Sequence, residues 1–222
     1  MPSILIADDH PLFREALRGA VVSLLPQASI IEADSAEALF RATESHPQAD
    51  LLLLDLNMPG ARGYSALVHL RAVRPELPVL VVSALEDPAT IRRALAHGAV
   101  GFIPKSADAA TIHAAIGAVL SGGTWAPASA SGSEGIDAEE ARVARAVREL
   151  TPQQLRVLTM LCDGLANKQI AYALGVGEAT IKAHVTVILR KLGARNRTQA
   201  VLLASQLSLD PSEVRLPPDE GG

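Results

Sequence analysis

Cysteine is almost missing from this chain: among 222 residues, Cys162 stands alone. A single thiol closes no internal disulfide and builds no cysteine-rich zinc site, which fits a reducing cytosol. Cys162 falls on the apolar side of a helical pattern and is expected to be a small core residue. Long apolar runs are missing too. The longest aliphatic stretches, such as the four leucines at 51–54, are strand-sized. Neither end has a charged segment leading into a long apolar run, so a soluble, cytoplasmic protein with no membrane association is expected. No glycine loop ends in Gly-Lys-Ser/Thr, which removes ATP as an expected ligand. The six histidines show no metal-ligand spacing.

What is present is an uneven charge. The net value of -4 hides a division: residues 150–209 carry seven Lys/Arg against two Asp/Glu, whereas residues 1–125 carry nine against thirteen. A compact basic segment inside an acidic chain is an electrostatic footprint for a polyanion, with nucleic acid as the first candidate. An apolar content of 49% supplies ordinary buried cores for one or two domains.

Residues 1–125 alternate short β-rich runs with helical patterns, the signature of an α/β fold with helices on both faces of a parallel sheet. Strands are expected at 4–7, 29–33, 51–54, 79–82 and 101–103, with crossover helices at 12–24, 36–45, 64–73, 89–97 and 108–120. Residues 126–135 are rich in Ala, Ser, Gly and Pro and read as a flexible linker, followed by an Ala/Arg/Glu-rich helix over 137–149. From residue 150 to 209 the pattern is wholly helical. Thr151, Pro152 and Gln154 form a capping box with proline at the first helical position. Gly164 ends that helix, Asn167 is expected to cap a second over 168–174, a turn at 175–177 leads to a third over 178–192, and a fourth covers 197–207. Two helices joined by a tight glycine turn are the helix-turn-helix arrangement. Residues 210–222 read as a disordered tail.

In an open parallel sheet, ligand chemistry sits beyond the carboxyl ends of the strands. Asp8 and Asp9 follow the first strand, Asp55 the third, Ser83 the fourth and Lys105 the fifth. A 2-1-3-4-5 strand order would bring all five to one edge. Crowded carboxylates repel, and a divalent cation relieves the repulsion. An all-oxygen ligand set with no nearby His or Cys favours Mg²⁺. The pocket is then equipped for phosphoryl transfer, with Asp55 as nucleophile, Lys105 neutralising charge and Ser83 bonding a transferred oxygen.

The stretches IADDH, LLLLDLNMPG, VVSALED and GFIPK, the last ending at Lys105, closely resemble the receiver domains of two-component response regulators. The resemblance implies a CheY-like fold and phosphorylation of Asp55 by a sensor histidine kinase. It also implies Mg²⁺ held directly by Asp9 and Asp55, through water by Asp8, and by the backbone carbonyl of Asn57. Ser83 and Phe102 would be the switch pair, the Phe102 ring moving into space that Ser83 vacates on turning toward the phosphoryl group.

On the helix over 178–192, Ile181, Val185, Ile188, Leu189 and Leu192 make one apolar stripe. The opposite face carries Ala179, Lys182, Ala183, Thr186, Val187 and Arg190, small and basic enough to lie deep in a major groove. The sequence from Leu150 to Val201 resembles the LuxR-type helix-turn-helix domain of the NarL/FixJ class of regulators. By that resemblance Lys182, Ala183 and Thr186 approach bases or the phosphates near them, while Lys168, Arg195 and Arg197 are candidates for phosphate contacts. Gly177 stands where the family commonly has a capping Ser, and Thr186 where many relatives have Lys. Dimerisation through the fourth C-terminal helix, bearing Val201, Leu202 and Leu203, is implied as well. The expectation is a phosphorylation-gated regulator of operator DNA rather than an enzyme. An aspartate-based phosphohydrolase would want a second carboxylate where Asn57 stands, and a receiver with a protein-binding output is the other rival.

Overall fold

The computed structural model describes residues 1–61, 63–128 and 137–208. The linker expected over 126–135 lies mostly outside the described residues, and the tail expected from residue 210 lies wholly outside them. Among the described residues, five parallel strands form one sheet in the order β2-β1-β3-β4-β5. They are β1 Ser3–Ala7, β2 Ser29–Ala33, β3 Leu51–Asp55, β4 Val79–Ser83 and β5 Gly101–Pro104. β3 and β4 are buried at every position, as strands covered on both faces must be. Their covers are α1 Pro11–Leu24, α2 Ala36–Ser45, α3 Ser65–Val73, α4 Pro88–Ala96 and α5 Ala109–Leu120. Ser35, Asp87 and Asp108 cap α2, α4 and α5 through their side chains. α1 starts differently. Its N-cap is His10, which makes no side-chain cap bond, so the imidazole is left to turn elsewhere.

Gly101 is required by close approach. A Cβ there would meet the Trp125 carbonyl oxygen at 2.5 Å and the Leu80 side chain at 2.8 Å, because Trp125 runs alongside β5 as a parallel bridge to Gly101. The Trp125 carbonyl accepts the Phe102 amide at 2.9 Å.

The C-terminal part comprises α6 Ala138–Arg148, α7 Pro152–Cys162, α8 Asn167–Leu174, α9 Glu178–Leu192, α10 Arg197–Ala204 and a 3-10 turn, Ser205–Leu207. The capping box of Thr151 and Gln154 on α7 forms as its sequence dictates. α8 departs by one residue: Asn167 is its first helical residue, not its cap. The cap position falls on Ala166, whose amide donates to the Gln169 carboxamide at 2.7 Å. Gly175 and Gly193 end α8 and α9 in the left-handed region, at φ 65 and 66. Cys162 is buried. No helix among the described residues is long and apolar enough to cross a membrane.

The helix after the linker is not a loose connector. Val143, Ala144, Ala146 and Val147 of α6 are buried in an apolar cluster that includes Tyr64, Leu67, Val68 and Leu70 from the sheet side and Leu158, Ile181 and Val201 from the helical side. Polar bonds follow the same seam. Glu140 accepts from Arg93 Nε at 2.9 Å, and its Oε1 lies 2.6 Å from His97 Nε2. Arg93 also donates to the Gln206 carbonyl at 2.7 Å, and the Tyr64 amide donates to the Leu207 carbonyl at 2.8 Å. Beneath them the Tyr64 ring carries the Arg93 guanidinium at 4.7 Å and lies 5.1 Å from the His97 ring.

Candidate functional site

Parallel register decides which side chains meet. Ala7 pairs with Leu54 and Asp55 with Val82, so β1, β3 and β4 end nearly level and the residues just past them share one rim. Asp8, Asp55 and Ser83 are all buried there, at 0%, 4% and 3% exposure. The rim opens into a cleft of about 850 Å³ lined by Asp9, His10, Asp55, Asn57, Ser83 and Lys105. Thr159, Asp163 and Ser208 of the helical part reach its far wall.

Lys105 bridges the carboxylates. Its Nζ lies 2.6 Å from Asp8 Oδ2 and 2.8 Å from Asp55 Oδ2, and 4.8 Å above the Phe13 ring. Asp55 Oδ1 accepts the Asn57 amide at 3.1 Å. Burial raises the Asp55 carboxyl above its ordinary value, against the lowering effect of Lys105 and the Asn57 amide. For Lys105, burial alone would lower the ammonium, but hydrogen bonds and charge from Asp55 and Asp8 hold it above its usual value. A carboxyl whose pKa is raised by burial beside a specific cationic partner is typical of functional sites.

Asp8, Asp9, His10 and Asp55 bring ligand atoms within 4.8 Å of one another. Two of those carboxylate oxygens, Asp8 Oδ2 and Asp9 Oδ1, are buried without an aligned hydrogen bond. Their near neighbours are Lys105 Nζ, 2.6 Å from Asp8 Oδ2, and His10 Nδ1, 2.8 Å from Asp9 Oδ1. Three carboxylates crowded this closely suit a small hard cation, so the residues fit Mg²⁺. The sequence suggested no histidine near these oxygens, but His10 stands beside them. His10 Nδ1 lies 2.8 Å from Asp9, 3.2 Å from Asp8 and 3.9 Å from Asp55. An N-cap residue that makes no cap bond is the local cause, and the adjacency of His10 to Asp9 was the available signal.

Ser83 Oγ accepts the Leu85 amide at 3.2 Å, and the Phe102 ring is fully buried in the core.

The basic helical part presents a second candidate surface. On α9, Ile181, Ile188 and Leu192 are buried, while Ala179, Lys182, Ala183, Thr186 and Arg190 are exposed and Val187 is half-buried. The exposed face is turned away from the sheet: α9 packs on α6, α7, α8 and α10. Lys168 and Arg195 are exposed. Arg197 is placed differently, because its Nη2 donates to the carbonyls of Leu161 and Leu165, at 3.2 and 2.7 Å. That guanidinium satisfies the end of α7 rather than lying open for a phosphate.

The sequence reading missed the seam. Glu140, Arg93, His97 and His69 are chemistry-bearing groups that it did not single out. One signal existed, since Glu140 shares a helical face with Val143, Ala144 and Val147.

Comparisons with known proteins recognise both parts of the chain. Residues 4–117 match the response regulator receiver domain, and residues 148–204 match the luxR family of bacterial regulatory proteins. The glycerol metabolism activator of Pseudomonas putida is 40% identical over 213 residues, covering 93% of this chain and 96% of its own. The nitrate/nitrite response regulator protein NarL of Escherichia coli K12 is 31% identical over 210 residues, covering 92% and 95%. Among solved structures, two RcsB dimers bound to two parallel DNAs align over 93% of this chain and 99% of theirs, with a TM-score of 0.54 at 22% identity. That likeness speaks to the fold.

Proposed function

Because the chain belongs to the NarL/FixJ family of DNA-binding response regulators, which join a receiver to a luxR-type helix-turn-helix, we propose that Asp55 is its phosphoacceptor and that a sensor histidine kinase is the donor. The carrying observation is the position of Asp55, buried at the end of β3 with Lys105 Nζ 2.8 Å away. In the transfer an Asp55 carboxylate oxygen forms a bond to phosphorus as the P–N bond of the donor phosphohistidine breaks, its electron pair staying on the leaving imidazole. Lys105 meets the charge on the phosphoryl oxygens, and the Ser83 hydroxyl turns from the Leu85 amide to bond one of them. Asp9, Asp55 and the Asn57 carbonyl would hold Mg²⁺, with Asp8 acting through water. When bound, the ion neutralises the carboxylates and the incoming phosphate.

Residues 1–125 act as the input unit, 126–149 as the connection, 150–209 as the output and 210–222 as a tail. Movement of Ser83 gives the Phe102 ring room to shift, which disturbs α4 and the bonds that Arg93 and His97 send to Glu140. The output is operator DNA, read by α9 with Lys182, Ala183, Thr186, Val187 and Arg190 in or near the groove and Lys168 and Arg195 on phosphates. Leu202, 48% exposed on α10, supplies an apolar contact for a second copy, so the phosphorylated form binds as a homodimer in the cytoplasm. No independent enzymatic turnover is assigned. Selecting bound duplexes from a random pool, with and without a small phosphodonor, tests the proposal. Wild type should gain sequence-selective binding with the donor, and Asp55→Asn should incorporate no phosphate and gain nothing. Equal selection by both proteins would sink the gating.

A further inference from the structure

The outward face of α9 is unusually poor in groups that can hydrogen-bond a base edge. At 100° per residue, Ala179, Ala183, Thr186 and Arg190 fall along its centre, with Lys182 on one flank and Val187 on the other. Arg190 belongs to the last turns of the helix, the end that lies farther from the bases when a recognition helix enters a groove by its N-terminal half. Lys182 is drawn aside, its Nζ lying 3.1 Å from Glu178 Oε1 one turn back. Along the centre of that face the remaining polar group is the Thr186 hydroxyl, and it is already used: Oγ1 donates to the Lys182 carbonyl of its own helix at 2.9 Å. With the hydroxyl turned inward, Thr186 offers its γ-methyl to the outside. The centre of the helix thus presents two alanine methyls and one threonine methyl.

Methyl groups of Ala and Thr have one base-specific partner in the major groove, the C5-methyl of thymine. Small side chains also let the backbone lie close enough for such contact. We propose that this regulator reads its site chiefly through thymine methyl groups met by Ala183 and the Thr186 γ-methyl, with hydrogen bonds to base edges in a minor role. This rests on α9 being the recognition helix, as proposed above.

The test uses the full-length protein with Mg²⁺ and beryllofluoride, and a duplex recovered by selection from a random pool. Each thymine in turn is replaced by uracil, which removes the methyl and keeps every hydrogen-bonding atom. Binding should weaken about fourfold at each contacted position, the worth of one buried methyl group, and stay unchanged elsewhere. Two variants separate methyl from hydroxyl. Thr186→Val should bind like wild type and keep the thymine preference, whereas Thr186→Ser should become indifferent to uracil at one position. Selective binding with no uracil effect, or with Thr186→Ser intact and Thr186→Val defective, would overturn the methyl reading and leave α9 as the DNA-binding helix. Absence of any salt-sensitive, sequence-selective binding would remove both.

Discussion

Two places in this molecule bury charge, and they treat it in opposite ways. At the strand ends, Asp8, Asp9 and Asp55 crowd together with one ammonium between two of them, and Asp55 is held above its ordinary pKa. At the seam, a single carboxylate, Glu140, faces a guanidinium and an imidazole and is held below its ordinary pKa. Burial pushes it up, but the hydrogen bonds from His97 and Arg93 outweigh that push. The first arrangement leaves negative charge unsatisfied and so invites a cation and a phosphoryl group. The second is closed, and it fixes one body against another.

The comparison is broken most strongly at Glu140. Glu140→Ala leaves Arg93 and His97 facing each other without their acceptor. Removing one partner of a buried pair costs about 3–5 kcal/mol, with the lower end expected because Arg93 also has the Gln206 carbonyl. Hydrogen exchange should show the α6 amides losing protection while β1 and β3 keep theirs. Uniform loss across the sheet would mean that the seam and the receiver core are one cooperative unit.

Lys105→Ala acts on the other side. It removes the ammonium from the phosphoryl site and should slow phosphorylation by a small donor roughly 10²- to 10³-fold, without loosening α6. A fall of less than threefold would show that Lys105 serves only to offset the carboxylates at rest.

Lowering the pH sharpens the contrast. His69 of α3 is fully buried, edge-on to Phe40 at 5.0 Å, and neither ring nitrogen has an aligned hydrogen bond. Burial lowers its pKa below 6.5, against a smaller opposing pull from the Val147 backbone of α6. A depressed folded value means that its contribution to stability is complete above pH 6.5 and is lost as pH falls from there through that depressed value. Glu140, also depressed, adds a second loss below its ordinary value of 4.5. Thermal unfolding followed from pH 7.5 downward should show two stages, and His69→Leu should flatten the first. Persistence of the first stage at wild-type slope in that variant would acquit His69.

The smallest effect expected is at Arg197. Arg197→Ala should cost about 1 kcal/mol by leaving α7 carbonyls short of a donor, and should leave the salt dependence of DNA binding unaltered. Lys168→Ala should instead keep the stability and reduce the salt slope by about 0.9, the mark of one lost phosphate contact.

Most of the sheet could be read from the chain, because strands buried on both faces leave uninterrupted aliphatic runs and their terminal residues then fall into register. The pocket followed for the same reason. What could not be read depends on how elements far apart in sequence pack. Glu140 looks like a solvated charge in an Ala/Arg/Glu helix until α3 and α4 cover it. Arg197 looks like a free cation until the end of α7 is brought to it. His10 was visible in the sequence, but its direction depends on a cap bond that α1 does not make.

The lone tryptophan has a practical consequence. The Trp125 backbone is bridged to Gly101 and accepts the amide of Phe102, and its side chain packs on the core cluster that contains Ile103, so the indole lies beside the strand that bears the proposed switch aromatic. Its ultraviolet emission is an internal optical gauge of that strand, undiluted by any second indole in the chain. Titrating the protein with beryllofluoride in a fluorimeter should therefore follow the ring's relocation in real time, with no dye attached and no DNA in the cuvette.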